Sequence, residues 1–146
     1  MTGTTSAIPM AEESELGRLF DMDEAKEKDG VAIQYGTLAV KIARMGGANK
    51  TFQTMFEEKS RPFRRMIENG VDLPEEIAQD IMHECYARCI VRDWNLARNK
   101  VAVPCTPENI IEQFKKRPEF FKFVVQESQR SSNYRLRAVA DESKNS

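Results

Sequence analysis

The stretch "VAIQYGTLAVKI" (residues 31–42) constrains the fold more tightly than any other part of the chain. Val31, Ile33 and Tyr35 alternate with small or polar residues, and Leu38, Val40 and Ile42 do the same. Strict alternation puts every second side chain on one face of a strand. Between the two runs lies Gly36-Thr37, whose leading glycine suits the first position of a type II′ turn, where φ is positive. A two-residue turn sets the register: Tyr35 opposite Leu38, Ile33 opposite Val40 and Val31 opposite Ile42, with all six apolar side chains on one face. A lone hairpin is marginal in water, so this face must lie on helices or on another sheet.

After Asn49 the pattern turns helical. Phe52, Met55, Phe56, Phe63, Met66 and Ile67 recur with a 3.6-residue period, and Pro62 predicts a kink or restart near Ser60-Arg61. Asn69-Gly70 ends this run. A second helix opens at Pro74-Glu75-Glu76 and carries a stripe from Ile77 through Ile81, Cys85, Tyr86 and Cys89 to Trp94, which marks it as the central core helix. Residues 95–105 read as a loop or short extended piece. Thr106-Pro107 caps a short helix with Ile110, Ile111 and Phe114, and Pro118 opens the last helix. The fold class is therefore mainly α with a small N-terminal β-hairpin (α+β), four to five helices surrounding one core. Residues 1–24 read as a flexible acidic arm, 25–138 as a single mostly helical domain with the hairpin at 31–42, and 139–146 as a frayed polar end.

With 146 residues the chain has the size of one ordinary domain. Its net charge of −1 gives no global attraction to nucleic acid. No apolar run approaches the roughly 20 residues of a membrane span, and the N-terminus lacks the layout of a secretory signal. The expectation is a soluble cytoplasmic protein with no nucleic-acid or membrane partner.

Two motifs invite a chemical reading. "MGGANKT" (residues 45–51) has the strand, Gly-rich turn, Lys-Thr and helix of a phosphate loop. In that loop glycine must precede the lysine and recur five residues earlier, so that backbone N–H groups can curl around phosphate. Relative to Lys50 those positions hold Asn49 and Arg44, so the stretch reads as a strand-to-helix turn with Asn49 or a neighbour capping the helix. Cys85 and Cys89 share a helix face near the only histidine, His83. But His83 and Cys85, two apart, face away from each other, and no second ligand pair completes a metal site. The cysteines read as small core residues with no disulfide between them, and neither a catalytic residue nor a cofactor site is expected.

Charge is distributed unevenly. Residues 12–29 hold eight acids against three bases. Residues 115–137 hold seven bases against Glu119 and Glu127, and residues 41–65 hold another seven against Glu57 and Glu58. In the last helix Phe120, Phe121, Phe123, Val124 and Val125 sweep an arc of about 200°, twice the stripe of an ordinary surface helix. A helix this wide is either buried on several sides or offers a surface to a partner. The candidate partner-binding residues are thus Phe120, Phe121, Phe123, Val124 and Val125, with Lys115, Lys116, Arg117 and Lys122 steering an acidic or amphipathic target.

The collinear series "GVAIQYGTLAVKIARMGGANKTF", "RPFRRMIENG", "VRDWN", "TPENIIEQF" and "RPEFFKFVVQESQRSSNYR" resembles the tail assembly chaperones of long-tailed (siphovirus-type) bacteriophages. The resemblance runs from about residue 20 to the C-terminal end. It implies a mostly helical, non-catalytic protein made in the host cytoplasm and absent from the mature virion. Its implied partners are the tape measure protein, which it keeps soluble, and the tail tube protein, which it helps recruit, together with self-association. In that family "GGANK" is a structural turn. Thr51 stands where the pattern leads one to expect a basic residue, which argues against an anionic contact at this spot. The rival expectation is a small structural virion protein, a head–tail connector or tail completion component.

Overall fold

A computed structural model describes residues 8–136. The segments 1–7 and 137–146, which include the expected polar end at 139–146, lie outside the described residues. The elements run α1 (Glu13–Phe20), α2 (Glu24–Asp29), β1 (Val31–Tyr35), β2 (Leu38–Ile42), α3 (Thr51–Ser60), a 3₁₀ turn (Arg61–Phe63), α4 (Arg64–Glu68), α5 (Glu75–Cys89), β3 (Val91–Trp94), β4 (Ala97–Arg98), β5 (Val101–Ala102), α6 (Pro107–Lys116), α7 (Pro118–Gln129) and a 3₁₀ turn (Ser131–Tyr134). The class is α+β.

β1 and β2 pair antiparallel in the register that the alternation predicts, Val31 with Ile42, Ile33 with Val40 and Tyr35 with Leu38. Gly36 has φ 64° while Thr37 stays outside the positive-φ region, the sign pattern of a type II′ turn. The hairpin is not free-standing, however. β3 adds to the far side of β2 and completes a three-stranded sheet of order β1-β2-β3. A bulge between Lys41 and Ile42 leaves Arg92 as the extra residue of β3. The sequence reading had Trp94 on the central helix stripe. α5 instead ends at Cys89, because the open edge of β2 offers Ile90–Trp94 a ladder that outweighs their helical spacing. Residues 95–105, expected as a loop or short extended piece, contain the small ribbon β4–β5 with Asn99 and Lys100 at φ 51° and 67°. The β part is thus larger than one N-terminal hairpin. Within 1–24, expected as an arm, Glu13–Phe20 is helical, although it buries none of its residues.

The core lies between the sheet and the helices. Phe52 of α3, Ile81, Cys85 and Tyr86 of α5, Ile110 and Phe114 of α6 and Val124 of α7 meet Val40 and Ile42 of β2. Val40 and Ile42 are fully buried, each contributing about 1.5–3 kcal/mol by removal from water.

The chain after β2 ties the layers together. Ala43 N–H donates to the Ile90 carbonyl (2.8 Å), Arg44 N–H to Glu27 (2.9 Å) and Met45 N–H to Ser128 (2.9 Å). The Tyr134 hydroxyl, held fully buried, donates to the Ile42 carbonyl at 3.1 Å. Of the expected caps, Asn49 or a neighbour, Asn49 turns inward: its Nδ2 donates to the carbonyls of Arg44 (2.9 Å) and Cys89 (3.2 Å). Lys50 occupies the N-cap with no side-chain capping bond. Glu27, 5% exposed, accepts from the Arg44 guanidinium and lies against Gly47, at φ 56°. A Cβ on Gly47 would overlap the Glu27 carboxylate.

Gly36 and Gly47 therefore separate two costs. Gly47→Ala is expected to destabilise by about 2–4 kcal/mol, combining left-handed strain with the clash against Glu27. Gly36→Ala, which meets nothing within 4 Å, carries the strain alone and costs about 1 kcal/mol. Urea denaturation of Gly47→Ala with and without Glu27→Ala measures the clash as a coupling of about 1–2 kcal/mol. Strict additivity would remove the carboxylate from this account.

Candidate functional site

A sharp corner between α6 and α7 creates the main cleft. Thr106 caps α6 by accepting from Asn109 N–H (3.2 Å), and Pro107 takes the first helical position. α6 stops at Lys116 because Arg117 precedes a proline, which bars the helical region: Arg117 sits at φ −134°, ψ 84°. Pro118 then starts α7 in a new direction. Across from this corner stand the tip of the β1–β2 hairpin and the end of β3.

Asn95 holds those two walls together. Its Oδ1 accepts from Ala39 N–H (2.8 Å) and its Nδ2 donates to the Thr37 carbonyl (2.9 Å). The indole Nε1 of Trp94 donates to the Val103 carbonyl at 2.7 Å, fixing the ring along one wall. The resulting cleft has a volume of about 820 Å³, within the roughly 300–1,000 Å³ of binding clefts. Tyr35, Leu38, Trp94 and Leu96 line one side, and Phe120 and Phe123 the other. Tyr35, 73% exposed, meets Phe123 edge-on with ring centroids 5.7 Å apart. Tyr35 is exposed and Phe123 half-buried against the core, so the pair leaves part of its apolar area in reach of an incoming chain.

Bases dominate the rim. Arg98, Lys116, Arg117 and Lys122 border the cleft, against the single acid Glu119. Glu112 below the rim pairs with both Lys116 (3.1 Å) and Arg98 (3.5 Å), while Glu119 pairs with Lys122 (3.3 Å). These pairs are solvent-exposed, so they release their cations to a competing carboxylate at little cost.

Of the residues singled out from the sequence, the fold brings Phe120, Phe123, Lys116, Arg117 and Lys122 to this cleft. The others face elsewhere. Val124 is fully buried, and Val125 is half-buried against the core. Phe121 packs edge-on against His83 (4.7 Å), Tyr86 (5.4 Å) and Phe114 (4.9 Å). Lys115 is exposed on the side of His83. The wide arc of α7 thus serves two surfaces at once, the core and the cleft. Sequence reasoning missed Tyr35, Leu38, Trp94, Leu96 and Arg98. Tyr35 and Leu38 were visible as the solvent end of the apolar hairpin face; the other three had no signal.

The remaining chemistry-bearing groups serve the core. His83, 2% exposed, is boxed by Phe114 and Phe121, and burial holds its pKa below the ordinary range. Burial pushes the thiols of Cys85 and Cys105 up to about 11. Cys85, Cys89 and Cys105 are free, and Cys89 Sγ rests 3.8 Å from Met55 Sδ. Among the described residues no three metal-ligating side chains come together, and no helix is long and apolar enough to cross a membrane.

The site and its scaffold are those of a small α+β protein with a basic, aromatic-lined cleft. The chain belongs to the YdaY prophage protein family, whose sequence profile matches residues 47–145, from the Gly47 turn through α7 and beyond. It is a phage-derived protein. No curated protein matches it, and no solved structure does.

Two outcomes follow from the placement of these side chains. Phe121→Asp buries a carboxylate among His83, Tyr86 and Phe114 and is expected to cost about 3–5 kcal/mol, whereas Tyr35→Asp costs about 1 kcal/mol or less; circular dichroism and thermal melts distinguish them. Because the folded state holds His83 neutral, the unfolded chain binds the extra proton first. Stability is therefore full above the ordinary histidine pKa and falls as pH drops below it. Melting between pH 7.5 and 5.5 should show this decline in the wild type and a flatter profile in His83→Leu.

Proposed function

We propose that the chain is a tail assembly chaperone, which binds the tape measure protein, keeps it soluble and helps recruit tail tube subunits around it. The carrying observation is the cleft itself, where exposed Tyr35 and half-buried Phe120 and Phe123 lie inside a rim of Arg98, Lys116, Arg117 and Lys122. Such a surface suits an amphipathic helix with acidic flanks: apolar anchors fill the cleft while the rim bases select and steer it. Membership of a prophage family and the collinear resemblance to tail assembly chaperones support the same reading. In this reading the protein is non-catalytic, takes no cofactor, acts in the host cytoplasm and is absent from the finished virion.

A specific observation favours a second reading. β1 is the outer strand of the three-stranded sheet, and among the described residues no strand pairs with its outer edge. An open edge is what a ring-forming connector or tail completion component uses. Mass spectrometry of purified virions separates the two, since a structural component stays in the particle and a chaperone does not.

The cleft reading has its own test in co-expression with the tape measure protein. Wild-type chain is expected to keep that protein soluble. Tyr35→Asp combined with Lys116→Glu and Lys122→Glu should fold normally yet reduce soluble tape measure protein about tenfold, the effect of losing about 1.4 kcal/mol of binding. Full solubilisation by this variant would move the binding surface away from the cleft.

A further inference from the structure

The cleft differs between its two ends. Phe120, Phe123 and Gln126 line it at three-residue spacing, so it runs lengthwise beside α7. From Arg117 at the corner to Gln126 it spans roughly 14 Å of helix. The charge is gathered at the corner end. Arg98 of β4 and Lys116 at the end of α6 come from opposite walls and meet on one carboxylate, Glu112, at 3.5 and 3.1 Å. Arg117 donates to the Gln113 side chain (2.8 Å). Lys122 lies further along α7, but its Nζ reaches back one turn to Glu119 (3.3 Å). Four cations thus face two carboxylates in the corner half. The lining residues of the other half, Tyr35, Leu38, Phe123 and Gln126, are all uncharged.

Attraction between exposed charges fades over about 8–10 Å in physiological salt, less than the length of the groove. A carboxylate placed at the hairpin tip is screened from the corner cations and would lie against Tyr35 and Leu38 with no cation to pair it. We infer that the cleft reads polarity: it takes a helical segment acidic at one end and apolar at the other. The acidic end sits at the α6–α7 corner and the apolar end at the hairpin tip. There the partner's acids exchange with Glu112 and Glu119 for the same cations, an exchange between exposed pairs that costs little. This rests on the cleft reading above and narrows its partner to an amphipathic helix whose acids are confined to one end.

Synthetic stapled helices of about 18 residues, each with two leucines one turn apart at its centre, test this. One carries a cluster of glutamates at one end only, a second has glutamines in their place, and a third has glutamates at both ends. By fluorescence anisotropy the one-ended peptide is expected to bind in the micromolar range, about tenfold more tightly than the glutamine peptide. Glutamates at the second end should add nothing. The advantage should vanish in about 0.5 M NaCl and in Lys116→Glu/Lys122→Glu, whose circular dichroism should match wild type. Photo-crosslinking to the wild-type chain needs no substitution. A crosslinker at the acidic end should label residues 116–120 or Arg98, and one at the apolar end residues 35–38. Equal binding of all three peptides, tighter binding of the two-ended one, a preference that survives the charge reversal, or reversed labelling would overturn the polarity and leave the cleft reading standing. Absence of binding, or labelling outside the cleft, would overturn both.

Discussion

Between Ile42 and Asn49 the main chain leaves the sheet through a largely half-buried stretch, where a buried N–H or C=O left unpaired would cost about 1–3 kcal/mol. Several of its backbone groups find partners on different elements. Ala43 reaches the end of α5, Arg44 reaches α2, Met45 reaches α7, and Ile42 receives the hydroxyl of Tyr134 from the last turn. Asn49 then spans back to Arg44 and Cys89. The arrangement of sheet against helices depends on this strap, because its bonds reach α2, α5, α7 and the last 3₁₀ turn. It also explains why "GGANK" cannot cradle a phosphate. The space beside Gly47 is filled by the Glu27 carboxylate, and Asn49 points into the protein.

The strap positions the cleft indirectly. By holding the base of β2 against α5 and α7, it sets where the hairpin tip meets the α6–α7 corner. Asn95 and Trp94 complete the wall from the β3 side. What the cleft offers is aromatic surface within a positive rim.

The sequence made the local elements legible. The register of β1 and β2, the break at Pro62, the Thr106 cap and the start of α7 at Pro118 all follow from turn and capping chemistry acting over a few residues. Where a residue had two compatible local states, the pattern misled. Trp94 fits a helical stripe by spacing, but Ile90–Trp94 fills the open edge of β2, and that partner lies about 50 residues earlier in the chain. Asn49 has the chemistry of a cap and spends it on two interior carbonyls.

For the site the division is sharper. Composition alone marked α7 as too apolar for a single contact and its flanks as basic. Only the tertiary structure decided which of those side chains serve the core and which serve the cleft, sending Phe121 and Val124 inward and leaving Phe120 and Phe123 at the groove. The physical reason is that helical periodicity fixes angles around an axis but not what packs against each of them. That is decided by the α6–α7 corner and by the Ile42–Asn49 strap, whose bonds join residues far apart in the chain.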